Sequence, residues 1–321
     1  MRIDDYFDAV GSVVISGHIK PDGDCIGSVL ALYNYIKKNF PEIDVDIFLE
    51  APSEKFRYLK NFDAVNSEYD KDREYDLFVS LDCSTLDRLG KAQKYFETAG
   101  RTICIDHHES NEGYADVNHI FGHASSACEV LYGCMDAGKL DKNIAACLYT
   151  GIVTDTGVFK YSSTLPETMR IAATLMEFGL QTDEIIDEAF YSKSWNETRI
   201  LGYAMLHSEL AYDGRVIYSY ITTSKMEEFD VGTKELDAIV SELRQTKGVI
   251  CSVFQYQTGQ EEYKFSLRSS GDFNVNGIAA AFGGGGHAKA AGCTLTGSQD
   301  SCMTAMLKEV GRAICCEQLR S

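Results

Sequence analysis

Proline is scarce in this chain, with 4 among 321 residues, and no tract of low complexity accompanies it. Neither feature suits a long disordered stretch. Long apolar runs are missing too. No segment reaches the roughly 18 uninterrupted apolar residues that a membrane helix needs, so no membrane partner is expected. The opening MRIDDYFDAV places acids early and lacks the basic-then-apolar layout of a secretory signal. A cytoplasmic location is the expectation. Positive charge is in deficit: 30 Lys and Arg face 48 Asp and Glu, a formal net charge of -18. A protein that grips long duplex nucleic acid neutralises many phosphates through a broad basic surface, and this composition excludes that design. A small anionic substrate stays open, because bound cations and a few placed arginines can supply a local positive field. CxxC pairs are also absent. The 11 cysteines are odd in number, and several lie in apolar runs, such as Cys104 in TICID and Cys251 in VICSVF. They read as reduced, buried thiols.

What is present points to two domains, since 321 residues exceed what one compact core usually organises. Apolar strand-like runs at 12–17, 44–49, 76–82 and 101–106 alternate with helical patterns near 26–40, 85–99 and 125–137. That rhythm implies a parallel sheet covered by helices on both faces. Helical patterns continue near 141–154, 166–178, 183–190 and 195–207, followed by strand-like runs at 208–213, 215–222, 248–257 and 262–268. The expected fold is α/β: a first domain over 1–190, a helical connector over 191–207, and a smaller mixed α/β domain over 208–321.

Ionisable residues gather where strands end. His18 ends one apolar run, Asp82 another, and Asp106-His107-His108 a third. In open α/β sheets ligands collect beyond the carboxyl ends of the strands. Asp22 and Asp24 follow His18 in HIKPDGDCIGS, where Pro21 and Gly23 mark a tight turn able to fold both carboxylates back. Asp155 sits in the turn-rich GIVTDTGVF. A lone histidine at a strand end is more often structural, and acids in a PDGD turn are more often turn formers. The joint pattern is harder to dismiss. Imidazoles with carboxylates suit Mn²⁺, Fe²⁺ or Zn²⁺ better than Ca²⁺. So many converging acids would repel one another, and two divalent ions resolve the repulsion while clamping a phosphoryl group. His119 and His123, flanking IFG in an expected loop, and His207 read as surface or satisfied residues, and Ser125 or Ser126 as a helix N-cap.

A second motif lies far downstream. Gly283, Gly284, Gly285 and Gly286 precede His287, after the helical run VNGIAAAF. The bland reading is a flexible hairpin or linker. The other is a phosphate pocket, with Arg268 in KFSLRSS as a bidentate partner. HIKPDGDCIGS, the Asp82 strand, the triplet at 106–108, the Asp155 turn and GGGGH, in that order, resemble the DHH phosphoesterase superfamily, in the subfamily with a DHH-associated C-terminal domain. By length the chain is similar to the two-domain, NrnA-like members.

The resemblance implies a Rossmann-like parallel-sheet domain, a smaller mixed domain and a cleft between them. It implies two Mn²⁺ ions, one on His18, Asp22 and Asp82, the other on Asp24, Asp82, His107 and Asp155, with Asp82 bridging. Asp106 and His108 would be catalytic, the first orienting the site and the second near the scissile phosphate. Arg268, His287 and the glycines would bind the substrate's other phosphate. The implied activity is hydrolysis of very short oligoribonucleotides to nucleoside 5′-monophosphates and of 3′-phosphoadenosine 5′-phosphate to AMP. A cyclic-di-AMP or pApA phosphodiesterase is the second enzyme reading. A nucleotide-binding sensor is the non-enzyme reading, opposed by the complete ligand set. Short RNA and small nucleotides are the implied partners. A homodimer is among the expected assemblies.

Overall fold

The computed structural model describes residues 2–318. It divides into two compact units, residues 1–192 and 193–321. Among the described residues, no helix is long and apolar enough to cross a membrane.

The first unit begins with β1 (Ser12–Ser16), α1 (Gly23–Asn39), β2 (Asp44–Phe48), β3 (Val65–Asn66) and β4 (Leu77–Leu81). It continues with α2 (Gln93–Thr98), β5 (Thr102–Asp106), β6 (Val117–Ile120), α3 (Ala127–Cys134), α4 (Lys142–Asp155), α5 (Pro166–Met176) and α6 (Thr182–Ile186). The strands form one sheet in the order β3-β2-β1-β4-β5-β6, and every neighbouring pair is parallel. β1, β4 and β5 are buried at every position, which is why they read as unbroken apolar runs. Alternate side chains serve opposite faces. Val13 and Ile15 join Leu77, Val79 and Leu81 in the core beneath α1 and α4, while Val14 and Phe78 join Phe48, Tyr75 and Tyr95 on the other side.

The chain runs outward from β1 in one direction and returns at β4 to run in the other. The reversal opens a crevice at the carboxyl ends of β1 and β4, the usual ligand position in such sheets. α1 and α4 pack closely over this end. A methyl on Gly27 would stand 2.7 Å from the Cys147 carbonyl oxygen, so only glycine permits the approach.

The second unit contains α7 (Trp195–Leu206), β7 (Glu209–Ala211), β8 (Val216–Ile221), α8 (Thr223–Phe229), α9 (Ile239–Arg244), β9 (Cys251–Gly259) and β10 (Glu262–Ser269). α10 (Asn276–Ala280), β11 (Gly285–His287), β12 (Ala290–Thr296) and α11 (Gln299–Gln318) complete it. Its sheet runs β11-β12-β10-β9-β8-β7, antiparallel except for the parallel pair β8–β9. Helices cover both faces. Val253, Phe265 and Leu267 pack with Ile278, Met306 and Val310, while Phe254 and Tyr256 pack with Met226, Phe229 and Leu243. α7, expected as a connector, buries Ile200 and Ala204 in the latter core.

Two short strands, β6 and β11, stand where a loop and a flexible hairpin or linker are expected. β6 carries His119 and pairs along β5, and β11 and β12 form the hairpin that ends the second sheet. Gly285 and Gly286 are therefore strand residues of a hairpin rather than a linker, and Gly283 and Gly284 lead into it. A methyl on Gly286 would meet the Ala290 carbonyl oxygen at 2.5 Å, so the run allows backbone to lie close against β12. Asp22 and Asp24 do not share a turn: Asp22 caps α1, and Asp24 lies within its first turn.

Candidate active site

Each first-unit residue singled out in the sequence reaches the same rim. Asp82 stands one residue beyond β4, its amide bonded to the Ile105 carbonyl at 3.1 Å and its backbone left-handed at φ 51°. That conformation costs an L-residue about 1 kcal/mol, the kind of local strain that concentrates at functional sites. Its two carboxylate oxygens face different partners. Oδ2 lies 3.3 Å from His18 Nε2, and Oδ1 lies 3.5 Å from His107 Nε2. Asp22 Oδ1 stands 3.7 Å from His18 Nε2. His107 Nε2 is also 3.4 Å from Asp155 Oδ2 and 3.9 Å from Asp24 Oδ2. Two donor groups therefore share Asp82, one around His18 and one around His107.

Local structure explains these positions. His18 Nδ1 donates to the Ile19 carbonyl at 2.8 Å, which leaves Nε2 as the atom facing the carboxylates. Asp22 caps α1 by accepting the amides of Asp24 and Cys25, both at 3.1 Å. Asp24 is fully enclosed and accepts the amides of Ala127 at 2.5 Å and Cys128 at 2.9 Å. Those amides open α3, whose N-cap is Ser126, so Asp24 meets the positive end of a helix. Asp155 is the last residue of α4.

The charge balance strains this pocket. Burial pushes Asp24 well above the ordinary carboxylate range, and the charges of Asp82 and Asp155 push it further. Burial likewise raises Asp155, to about 7, against the relief from His107, and the charges of Asp82 and Asp22 add to the rise. Burial alone would lower His18, but hydrogen bonds to Asp22 and Asp82 overcome it and hold the imidazole up to about 10. His107 is raised to about 10 in the same way, by Asp82, Asp24 and Asp155. Crowded carboxylates that capture protons are a donor set short of positive charge. Divalent cations fit that deficit, and the carboxylates and imidazoles of His18, Asp22, Asp24, Asp82, His107 and Asp155 could hold them.

Asp106 and His108 form a further chain of contacts, joined to the first because His108 Nδ1 also lies 3.7 Å from Asp82 Oδ1. His108 Nδ1 donates to Asp106 Oδ1 at 2.8 Å, which leaves Nε2 for a substrate. Asp106 Oδ2 accepts from Asn111 Nδ2 at 2.7 Å. Burial raises the Asp106 carboxyl, but the bonds from His108 and Asn111 outweigh it and hold it below its ordinary value. Asn111 was not singled out in the sequence. ESNEG reads as a polar turn, and nothing in its spacing shows that this one amide is buried. Cys25 was read only as a core thiol, yet its sulfur lies within 4.8 Å of donor atoms of His18 and Asp82. Burial pushes that thiol well up, so it stays protonated.

In the second unit, Arg268 and His287 are brought into line. Ala290 pairs with Arg268 on β10 and with His287 on β11. Directly opposed residues share a face, so both side chains stand on one side of the sheet, about 10 Å apart across two strand spacings.

The model for the DHH family, N-terminal domain, matches residues 12–152, and that for the DHHA1 domain matches residues 213–314. The chain is 29% identical over 290 residues to a bifunctional oligoribonuclease and PAP phosphatase NrnA of Thermus thermophilus, covering 89% of this chain and 85% of that one. It is 25% identical over 289 residues to the protein so named in Bacillus subtilis, covering 88% and 89%. Among solved structures it is similar to an exopolyphosphatase-related protein from Bacteroides fragilis, with a TM-score of 0.86, 26% identity, and 96% and 94% of the two chains covered.

Proposed function

From the premise that this chain belongs to the DHH family and carries a DHHA1 domain, we propose that it hydrolyses very short oligoribonucleotides to nucleoside 5′-monophosphates and removes the 3′-phosphate of 3′-phosphoadenosine 5′-phosphate. The observation that carries this reading is the two-sided contact of Asp82, with one oxygen toward His18 and the other toward His107. A shared carboxylate between two imidazole-carboxylate groups suits a two-metal phosphoesterase. Manganese is the proposed metal, from the mix of imidazole and carboxylate donors. When bound, such ions polarise a phosphoryl oxygen and acidify water.

The chain's own residues supply the rest. His108, oriented through Nδ1 by Asp106, presents Nε2 to the scissile phosphate or the leaving oxygen. Asp106 stays ionised because Asn111 and His108 both donate to it, and so it fixes the imidazole's direction. In the second unit Arg268 and His287, aligned across Ala290, are proposed to hold a second phosphate of the substrate, with Gly283–Gly286 lying beside them. Recognition of a second phosphate limits substrate length, and the acidic composition disfavours long strands. The test is product analysis with Mn²⁺ on labelled oligoribonucleotides from dinucleotide to long single strand, with 3′-phosphoadenosine 5′-phosphate, pApA and cyclic di-AMP alongside. Preferred cleavage of the shortest RNAs with 5′-monophosphate release is expected. Degradation of long strands alone would overturn the reading.

A further inference from the structure

We infer that Phe121 is a stacking platform for a nucleobase of the substrate, placed beside the reacting phosphate by the first sheet. The inference rests on the nucleotide-hydrolase reading above. The ladder between β5 and β6 pairs Asp106 with Ile120, and the Phe121 amide donates to the Asp106 carbonyl at 3.0 Å. Phe121 is therefore the first residue past β6, tied by its amide to the end of the strand that leads into His107 and His108. It occupies the carboxyl rim on which the metal-ligand candidates converge.

Phe121 is 52% exposed and joins none of the described hydrophobic cores. The turn that carries it is fixed in place. The Ala124 amide returns to the Phe121 carbonyl at 2.9 Å, and Gly122 packs so tightly on Glu109 that a methyl would stand 2.9 Å from Glu109 Cγ. The His119 ring, two residues back on the same strand face, lies 4.6 Å from the Phe121 ring and buttresses it. From Val117 to Ser126 the chain carries no Asp, Glu, Lys or Arg, although the whole protein has a net charge of -18. An exposed, buttressed aromatic ring in a segment free of charged side chains, beside a phosphate site, is what an unpaired base stacks on. A subunit contact through the β6 edge would use the same ring differently, and the experiment below separates the two.

The test compares Phe121→Ala, Phe121→Leu and Phe121→Trp with the unmodified full-length protein. Substrates are a diribonucleotide and its counterpart lacking one base, and a dinucleotide containing 2-aminopurine reports stacking by quenching with Ca²⁺ in place of Mn²⁺. Loss of the ring is expected to weaken dinucleotide binding about 5- to 150-fold, mainly in KM, and to abolish the quench. Leucine should fail as alanine does, tryptophan should restore both, and the abasic substrate should be indifferent. Equal effects on both substrates, rescue by leucine, or a dimer converted to monomer in sedimentation by Phe121→Ala would each overturn the inference. Unmodified protein that neither quenches nor cleaves would instead remove the hydrolase reading on which it rests.

Discussion

Asn111→Ala is the sharpest probe of how the site is held. Asn111 donates to Asp106 Oδ2 at 2.7 Å and to the Cys83 carbonyl at 3.2 Å, and accepts the Gly113 amide at 2.9 Å. It touches none of the candidate metal ligands. Removing it leaves a fully buried carboxylate with His108 as its remaining side-chain donor. A hydrogen bond to a charged, buried group contributes about 1.5–3 kcal/mol. If that orienting energy is lost in the transition state, kcat falls about 10- to 150-fold, at 1.4 kcal/mol per decade. Because Asn111 and His108 hold the Asp106 carboxyl below its ordinary value against the effect of burial, the variant's carboxyl titrates higher. A depressed carboxyl stabilises the fold above its unfolded value and loses that contribution as pH falls through the folded one. The variant should therefore be least stable, relative to the parent, near neutrality. The gap should close on acidification, and the acid limb of the kcat profile should move upward. Mn²⁺ binding by calorimetry should be unchanged. An unchanged kcat, or a loss of Mn²⁺ affinity matching the loss of rate, would refute the orienting role.

Four further outcomes follow from the geometry. With His18 and His107 held up to about 10 and Asp155 at about 7, loading with Mn²⁺ must displace protons. Calorimetry at neutral pH in buffers of different ionisation enthalpy should show both imidazoles shedding a proton, with affinity rising as pH rises, whereas buffer-independent heats would contradict the ligand assignment. Gly151→Ala would drive a methyl into Cys128 Sγ and to 2.6 Å from Asp24 Oδ1, so it should cost about 1–3 kcal/mol in denaturant unfolding and weaken metal binding. Gly133→Ala in α3 meets open space and should stabilise by about 0.5–1 kcal/mol. Residues 1–192 contain every proposed metal ligand and their own core, so this segment alone should bind Mn²⁺ like the whole chain, by calorimetry, while losing dinucleotide turnover.

The central fold was legible because burial on both faces writes itself into sequence. SVVIS, LFVSL and TICID are continuous apolar runs since helices cover both sides of β1, β4 and β5. β3, β6 and β11 were not legible. They are two to four residues long, and their conformation comes from the neighbour they pair with, not from their own composition. Gly285-Gly286-His287 has no strand propensity at all. It is extended because β12 lies alongside, and the glycines let the backbones meet.

The same division runs through the site. Carboxylates and imidazoles at strand ends were legible as a set because each follows a recognisable strand, and a parallel sheet sends all such ends to one rim. What the sequence could not show was which atoms face which. The split of Asp82 between His18 and His107 depends on a left-handed backbone at residue 82, and no local pattern announces that conformation for an aspartate. Asp24 looked like a turn former and proves to be enclosed, because α3, from a distant part of the chain, delivers two amides to it. Asn111 and Phe121 were illegible for a related reason. Each gains its role from one contact with Asp106, a side-chain bond made within the turn after β5 for Asn111 and a backbone bond made by the pairing of β5 with β6 for Phe121. Residues that bear charge at this centre could thus be read from type and position. Those that orient it, or offer it an apolar surface, depend on the assembled rim, and substitutions at Asn111 and Phe121 should move rate and base recognition while leaving metal affinity where it was.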